Sequence, residues 1–474
     1  MRKPSGRHRG TNKTLSFASV ILLGINGIIG SGIFLLPGTL YQEAGLGSVS
    51  AIVLAGLSTT LIALSYAMLA SKIDDDGGAW VYSNRAFGAF GAFGAFGAFG
   101  AFGAFGAFGA FGAFGAFGAF GAFGAFGAFG AFVGFQTGWF GWFLGVITIA
   151  AELAAFLTAL GGLIPVVKQR GVYISVALVI IAALIAINLI GPNILTFIDN
   201  ISSALKIIIL IAVIAAGGYF ISTHGLHVSQ PQAVSSDFRT AFSTAFYMFT
   251  GFSFLPVAAN KMKNPEKTLP RALMVVMLIV IAIYGMAQMT TIVILSTNLT
   301  AETLPVAAAF ATVVGSIGKT VAILGMLISI LGVAVAVSFD TPIEMASLAT
   351  EKTLLPAVFG RTNKSGAPFV AIWLTIGIAA MLVVSGSYLF LVNLIVFSAF
   401  LQYITTILAW FKLRHDPTLP AGIHLPMAPL LMGFALLLIG YLMTSATWLT
   451  WLIAVIVALI GSVIYATDTR RRGE

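Results

Sequence analysis

Cysteine is absent from the 474 residues, so disulfide frameworks, thiolate metal sites and thiol nucleophiles are excluded. Charge is scarce. There are 24 Lys+Arg and 15 Asp+Glu, 8% of the chain, against roughly 25% in a soluble domain. That excludes an ordinary soluble enzyme, a disordered chain and a nucleic-acid binder. Polar stretches of domain size are missing too. The longest, 222–237 and 349–366, are each under 20 residues, so any chemistry must lie within the apolar segments. The five histidines fall mostly in tails and loops without metal-ligand spacing, and no catalytic constellation, cofactor motif or metal site is present. Asp74-Asp75-Asp76 reads as a solvated loop or an anion-repelling mouth.

Apolar sequence fills the space that charge leaves. Hydrophobic types make up 59%, arranged in runs long enough to cross about 30 Å of hydrocarbon, which takes about 20 residues per helix. Twelve such segments are expected, at 15–40, 46–71, 131–164, 172–190, 197–221, 238–258, 272–296, 318–348, 367–384, 387–411, 427–443 and 447–466. The first is too long for a cleavable signal and lacks a small-residue cleavage site. Basic residues set the orientation. With twelve spans, 19 of the 24 Lys and Arg fall on one side: the N-terminal tail, the loops after spans 2, 6, 8 and 10, and Arg470–Arg472. Only Lys168, Arg170, Arg239 and Lys319 fall on the other, and Lys206 lies inside a span. Both termini are therefore expected in the cytoplasm, the protein spanning the cell membrane with lipid as its surroundings. The net charge of +9 reflects this topology.

Residues 86–130 are fifteen copies of Ala-Phe-Gly, followed by Ala131-Phe132. Period 3 matches neither the helical 3.6 nor strand alternation, and each helical Gly costs about 1 kcal/mol relative to Ala. One extra span here would invert every later loop against the positive-inside pattern. The tract is expected to add no span and to be a tandem expansion at the cytoplasmic mouth of span 3. Removing fourteen copies leaves 432 residues.

Two spans carry polar or helix-breaking residues at mid-membrane. Span 1 contains Gly27, Gly30, Ser31 and Gly32 within six residues. Such a stretch either supports close helix packing or unwinds to offer backbone N–H groups to an anion such as a carboxylate. Span 6 runs Tyr247-Met248-Phe249-Thr250-Gly251-Phe252-Ser253-Phe254-Leu255-Pro256, broken at Gly251 and Pro256. Interrupted helices at matching positions of two halves point to a binding site between inverted repeats. Lys206 in span 5 and Glu152 in span 3 are buried ionisable groups of the kind that mark function. The alternatives are a lysine snorkelling to the interface beside Asp199 and a structurally satisfied carboxyl. Gln288, Asn393 and Gln402 read as packing hydrogen-bond formers.

The stretch GIIGSGIFLLPG (27–38) resembles the span 1 signature of the amino acid–polyamine–organocation transporter superfamily. GGAWVY (77–82) followed by RAFG, KNPEKTLPRA (263–272) and LATEKTLLPAVFG (348–360) with Ala367-Pro368 are similar to its later motifs. The resemblance covers residues 15 to about 415 once the tract is removed. It implies an all-α, twelve-helix membrane protein with a LeuT-type 5+5 inverted repeat. The first repeat covers 15–221, the second 238–411, the two appended helices lie in 427–466, and the tails are 1–14 and 467–474.

By that resemblance Gly30, Ser31 and Gly32 hold a substrate α-carboxylate. The carbonyls of Thr250, Gly251 and Phe252 receive the α-amino group, and Tyr247 covers the substrate, its alternative being an ordinary packed aromatic. Lys206 stands where proton-coupled members carry lysine in place of a sodium site, which implies exclusion of Na⁺ and a proton gained and lost in the cycle. Glu152 resembles a Glu in some branches, which implies a proton relay or a gating contact. Two positions depart from the pattern. Ser253 replaces a common acid, and Ile343-Glu344 stand where a basic residue is frequent. Loss of the acid argues against exchange of arginine, agmatine or glutamate, and the small or apolar pocket suggests a neutral amino acid. The implied function is amino acid import by proton symport. An exchanger on the same fold, or a non-transporting sensor or channel, are the alternatives.

Overall fold

The computed structural model describes residues 16–73, 78–87, 126–190, 193–226, 237–257, 262, 264–350, 354–385 and 387–472. The N-terminal tail, Asp74–Asp76 and residues 88–125 of the Ala-Phe-Gly tract lie outside them. Secondary structure among the described residues is helical, in the order α1 Phe17–Ile28, α2 Gly32–Leu35, α3 Pro37–Ala44, α4 Gly47–Ala70, α5 Ala79–Phe87, α6 Phe126–Leu163, α7 Arg170–Ile190, α8 Asn193–His224, α9 Phe238–Tyr247, α10 Phe254–Val257, α11 Pro265–Leu295, α12 Pro305–Val314, α13 Ser316–Thr350, α14 Phe369–Ser385, α15 Tyr388–Leu413, α16 Ala428–Met443 and α17 Trp448–Arg472. Eight of these, α4, α6, α7, α8, α11, α13, α15 and α17, contain stretches long and apolar enough to cross a membrane, and α1, α12, α14 and α16 are shorter apolar helices. The chain is a multi-pass membrane protein.

Several hydroxyls inside these helices bond to the carbonyls of their own helix, as suits a medium without water. In α4 the hydroxyls of Ser58, Thr59 and Thr60 donate to the carbonyls of Leu54, Ala55 and Gly56 at 2.6, 2.8 and 2.7 Å. Between helices, single polar contacts act as ties. Trp142 Nε1 donates to Thr375 Oγ1 at 2.9 Å, Trp139 Nε1 to the Val457 carbonyl at 2.9 Å, and Asn188 Nδ2 to Ser338 Oγ at 2.9 Å. Gln288 likewise has a packing role, donating to the Pro37 carbonyl at 3.1 Å and Ser48 Oγ at 3.0 Å.

Helix α6 is central, packing on α5, α13, α14, α15 and α17. A glycine seam makes this possible. Gly134, Gly138, Gly141 and Gly145 recur at spacings that keep one helical face toward its partners. Any side chain there would run into Asn84 at position 134, Leu348 and Trp80 at 138, Glu344 and Gln402 at 141, and Thr341 at 145. Small residues at such seams let membrane helices approach closely.

Two elements depart from the sequence expectation. Residues 79–87, which lie outside all twelve expected spans, form helix α5, laid against α6 where Asn84 meets Gly134. The connection between α11 and α13, read as a loop, holds the 3₁₀ turn Ser296–Ala301 and helix α12. Pro305 starts α12 at a position where a missing N–H costs nothing, Val306, Ala307 and Ala309 are buried, and Gly315 at φ 84° turns the chain into α13.

Candidate functional site at the junction of two interrupted helices

Helix α1 stops at Ile28. Ile29 is extended (φ −77°, ψ 95°), and helical structure resumes at Gly32. Helix α9 stops at Tyr247, passes through the 3₁₀ turn Thr250–Ser253 and resumes at Phe254. The two interruptions cross in contact. A Cβ on Gly251 would overlap the Gly27 carbonyl, so only glycine permits the crossing. Gly32 faces the other side of the junction, where a Cβ would lie 2.9 Å from Met248 Cγ and 3.2 Å from Tyr247 Cε1.

An interrupted helix leaves backbone groups without helical partners. At the end of α1 the carbonyls are taken by two side chains from other helices. The fully buried Lys206 of α8 donates from Nζ to the Ile29 carbonyl at 2.8 Å and the Asn26 carbonyl at 3.2 Å. Tyr284 of α11 brings its hydroxyl to 3.1 Å from the Ile28 carbonyl. A cation at a helix C-terminus is electrostatically favourable, and here it offsets part of the cost of an ammonium out of water. The Lys206 amine therefore lies on the junction.

The second break is satisfied by neutral groups. Thr250 Oγ1 donates to the Tyr247 carbonyl at 2.9 Å, the Tyr284 hydroxyl lies 3.2 Å from the Met248 carbonyl, and Tyr403 OH donates to the Thr250 carbonyl at 3.3 Å. The Phe252 ring is buried against Tyr66 and Tyr403, at centroid distances of 5.4 and 5.3 Å. Its side chain closes the junction on one side.

The N–H side of the first break carries the polar centre. Glu152 of α6 is buried, and its Oε1 accepts from Ser31 Oγ at 3.0 Å and from the Ser31 backbone N–H at 3.3 Å. Tyr247 OH donates to the same oxygen at 3.3 Å and lies 3.2 Å from Ser31 Oγ. Tyr388, at the start of α15, lies 2.9 Å from Ser31 Oγ with its ring edge-on to Tyr247 at 6.3 Å. Gly30 leaves room for the carboxyl, since a Cβ there would sit 2.8 Å from Glu152 Oε1.

Ser31, Gly30, Gly32, Tyr247, Glu152, Lys206, Thr250, Gly251 and Phe252 thus share one junction. Two further members, Tyr284 and Tyr388, have no sequence signal. Tyr284 is one aromatic within an apolar run, and Tyr388 at the start of a span reads as an interfacial anchor. Among the described residues no group of three or more His, Cys, Asp or Glu is placed to hold a metal ion.

Outside the membrane-spanning helices, Asp237 caps α9. Thr240 donates to it from backbone N–H at 3.2 Å and from Oγ1 at 2.6 Å, bonds that hold its carboxyl below the usual range. Glu43, near the end of α3, accepts from Thr244 at 3.4 Å, and burial pushes its carboxyl up to about 7.

Residues 15–467 match a family model described as amino acid permease. The chain is 28% identical over 428 residues to an uncharacterized transporter of Mycobacterium tuberculosis, covering 85% of this chain and 80% of the relative. It is 24% identical over 472 residues to a branched-chain amino acid permease of Bacillus subtilis, covering 98% and 95%. A serine/threonine exchanger of the same bacterium is 24% identical over 293 residues, covering 61% and 57%. With the match running through both interrupted helices and nearly the whole chain, this protein belongs to the amino acid permease family of the amino acid–polyamine–organocation superfamily, and it is not an enzyme.

Proposed function

We propose that the protein imports amino acids across the cell membrane as a secondary active transporter, by proton symport with alternating access. The observation that carries the reading is the junction of two interrupted helices, with N–H and hydroxyl donors at Ser31 on one side and the carbonyls of the 247–252 turn on the other. An amino acid zwitterion is complementary to that pairing. Gly30, Ser31 and Gly32 receive the α-carboxylate, the carbonyls of Thr250, Gly251 and Phe252 receive the α-ammonium, and Tyr247 covers the bound substrate.

In this reading the layout is twelve transmembrane helices with both termini in the cytoplasm. Residues 15–221 and 238–411 form a LeuT-type pair of inverted repeats, and 427–466 the appended helices. The breaks divide span 1 among α1, α2 and α3 and span 6 between α9 and α10, so neither forms one long apolar helix. Lys206 supplies a fixed cation where a sodium ion would otherwise sit, and Glu152 carries the transported proton. The small and apolar lining favours a neutral side chain, consistent with the branched-chain permease among the relatives.

The test is uptake of radiolabelled neutral amino acids by proteoliposomes, using the full chain and the 432-residue form. An inward proton gradient is expected to drive accumulation, with no effect of Na⁺. A requirement for Na⁺, or full activity in Lys206→Ala, would overturn proton coupling. Exchange is the second reading, because one relative is a serine/threonine exchanger. It predicts uptake only into vesicles preloaded with amino acid.

A further inference from the structure

We infer that the Glu152 carboxylate is a built-in occupant of the site for a substrate carboxylate, and that a zwitterionic substrate binds by displacing it from Ser31. The inference rests on the proposed transport reading for the identity of the displacing ligand. The occupancy itself rests on the side chains alone.

Three observations converge on it. Glu152 Oε1 sits on the backbone N–H and the hydroxyl of Ser31, the two donors a carboxylate ligand would need at this break. Its approach is built in, because Gly30 has no Cβ to block Oε1. The second oxygen, Oε2, is buried and has no hydrogen-bond partner among the described residues, in a residue only 2% exposed. A carboxyl present only for packing would be expected to use both oxygens, since an unpaired buried acceptor costs about 1–3 kcal/mol. One saturated oxygen and one bare one describe a group held in place by the donors of another ligand.

The surroundings determine what displacement does. The groups facing Glu152 are the ammonium of Lys206 from α8 and the hydroxyls of Ser31, Tyr247 from α9, Tyr284 from α11 and Tyr388 from α15. Lys206 is engaged with the Asn26 and Ile29 carbonyls. When an arriving carboxylate takes over Ser31, Glu152 loses both of its Ser31 donors and gains a like charge in a dry site. Two carboxylates so close do not both stay ionised, so binding takes up one proton. Substrate and proton are thereby coupled through competition for one set of donors, and Tyr247, bonded to both Ser31 and Glu152, registers the exchange.

The test uses the full-length protein purified in detergent, with acetate and the twenty standard L-amino acids as probes in thermal-shift and binding measurements at pH 6 and pH 8. In Glu152→Ala the vacated site is expected to take acetate, giving a saturable rise in melting temperature that the wild type lacks. At pH 8 the amino acids that bind the wild type should bind Glu152→Ala about tenfold more tightly, on the scale of a lost charged hydrogen-bonding competitor. Their affinity should rise toward pH 6 in the wild type and be flat in the variant. A folded Glu152→Ala with no acetate shift and no gain in amino acid affinity overturns the inference. If Glu152→Ala does not fold, Glu152→Gln keeps the volume with a weaker, neutral acceptor. It should tighten amino acid binding and abolish the pH dependence, and unchanged affinity and pH profile would overturn the inference. Should no amino acid bind the wild type at either pH, the transport reading fails, while the acetate response of Glu152→Ala still decides whether Glu152 fills an anion site.

Discussion

The break after Ile28 and the break after Tyr247 face each other across one junction, yet their loose backbone ends are satisfied by different chemistry. The first holds charged partners, Lys206 on its carbonyls and Glu152 on its N–H group. The second holds neutral ones: the hydroxyls of Thr250, Tyr284 and Tyr403. Tyr284 reaches backbone carbonyls of both. A charged cap responds to protonation and to an arriving ion, whereas a hydroxyl cap does not change state near neutral pH. In the proposed transport cycle the first break carries the charged groups, and the second is a turn capped by hydroxyls.

The largest effect is expected from Gly251→Ala. The added methyl meets the Gly27 carbonyl, backbone against backbone, so the two breaks can no longer cross. A loss of roughly 3 kcal/mol or more is expected, seen as failure to obtain monodisperse protein by size-exclusion chromatography. Next is Lys206→Met, which removes the charged cap and leaves the Ile29 and Asn26 carbonyls short of a donor. Uptake should fall roughly tenfold or more, and the remainder should no longer respond to the proton gradient. An unchanged pH profile would show that the charge difference between the breaks has no functional meaning.

Tyr284→Phe sharpens the comparison from the shared side. It removes one hydroxyl near two carbonyls, costing about 1–2 kcal/mol. The expected result is a lower melting temperature with the pH dependence of uptake retained, in contrast to Lys206→Met. The smallest effect is expected outside the junction, at Glu43. Its carboxyl is raised to about 7, so between its ordinary value and 7 the folded protein binds more protons than the unfolded chain. Its contribution to stability is then present at acid pH and is lost as pH rises through that window. Glu43→Gln should match the wild type near pH 4.5 and exceed it at pH 8, by on the order of 1 kcal/mol, in melting temperature followed against pH.

Much of the junction was legible in the chain because glycine and proline act locally. Gly27, Gly30, Gly32 and Gly251 cluster at or beside the two breaks, where they weaken a helix, and a lysine and a glutamate in apolar runs stand out against 8% charge. Tyr284 and Tyr388 were not legible, since an aromatic in an apolar segment looks the same whether it packs or donates a hydrogen bond. Gln402 and Glu344 were noticed, but not that Gly141 makes the room beside them. The helix α12 escaped because its polar start, Ala301–Leu304, resembles the loops on either side.

The sequence alone determined that this chain lives in lipid, that two of its apolar segments are interrupted, and that a cation and an acid lie among them. Those conclusions depend on composition and on local backbone preference, which each residue carries with it. Tertiary structure alone decided that the two interruptions meet at Gly27 and Gly251, that Lys206 finds the carbonyls of a helix some 180 residues earlier, and that Glu152 rests on Ser31 121 residues away. A buried donor or acceptor must find a partner wherever packing brings one, and no local rule of sequence says which one that will be.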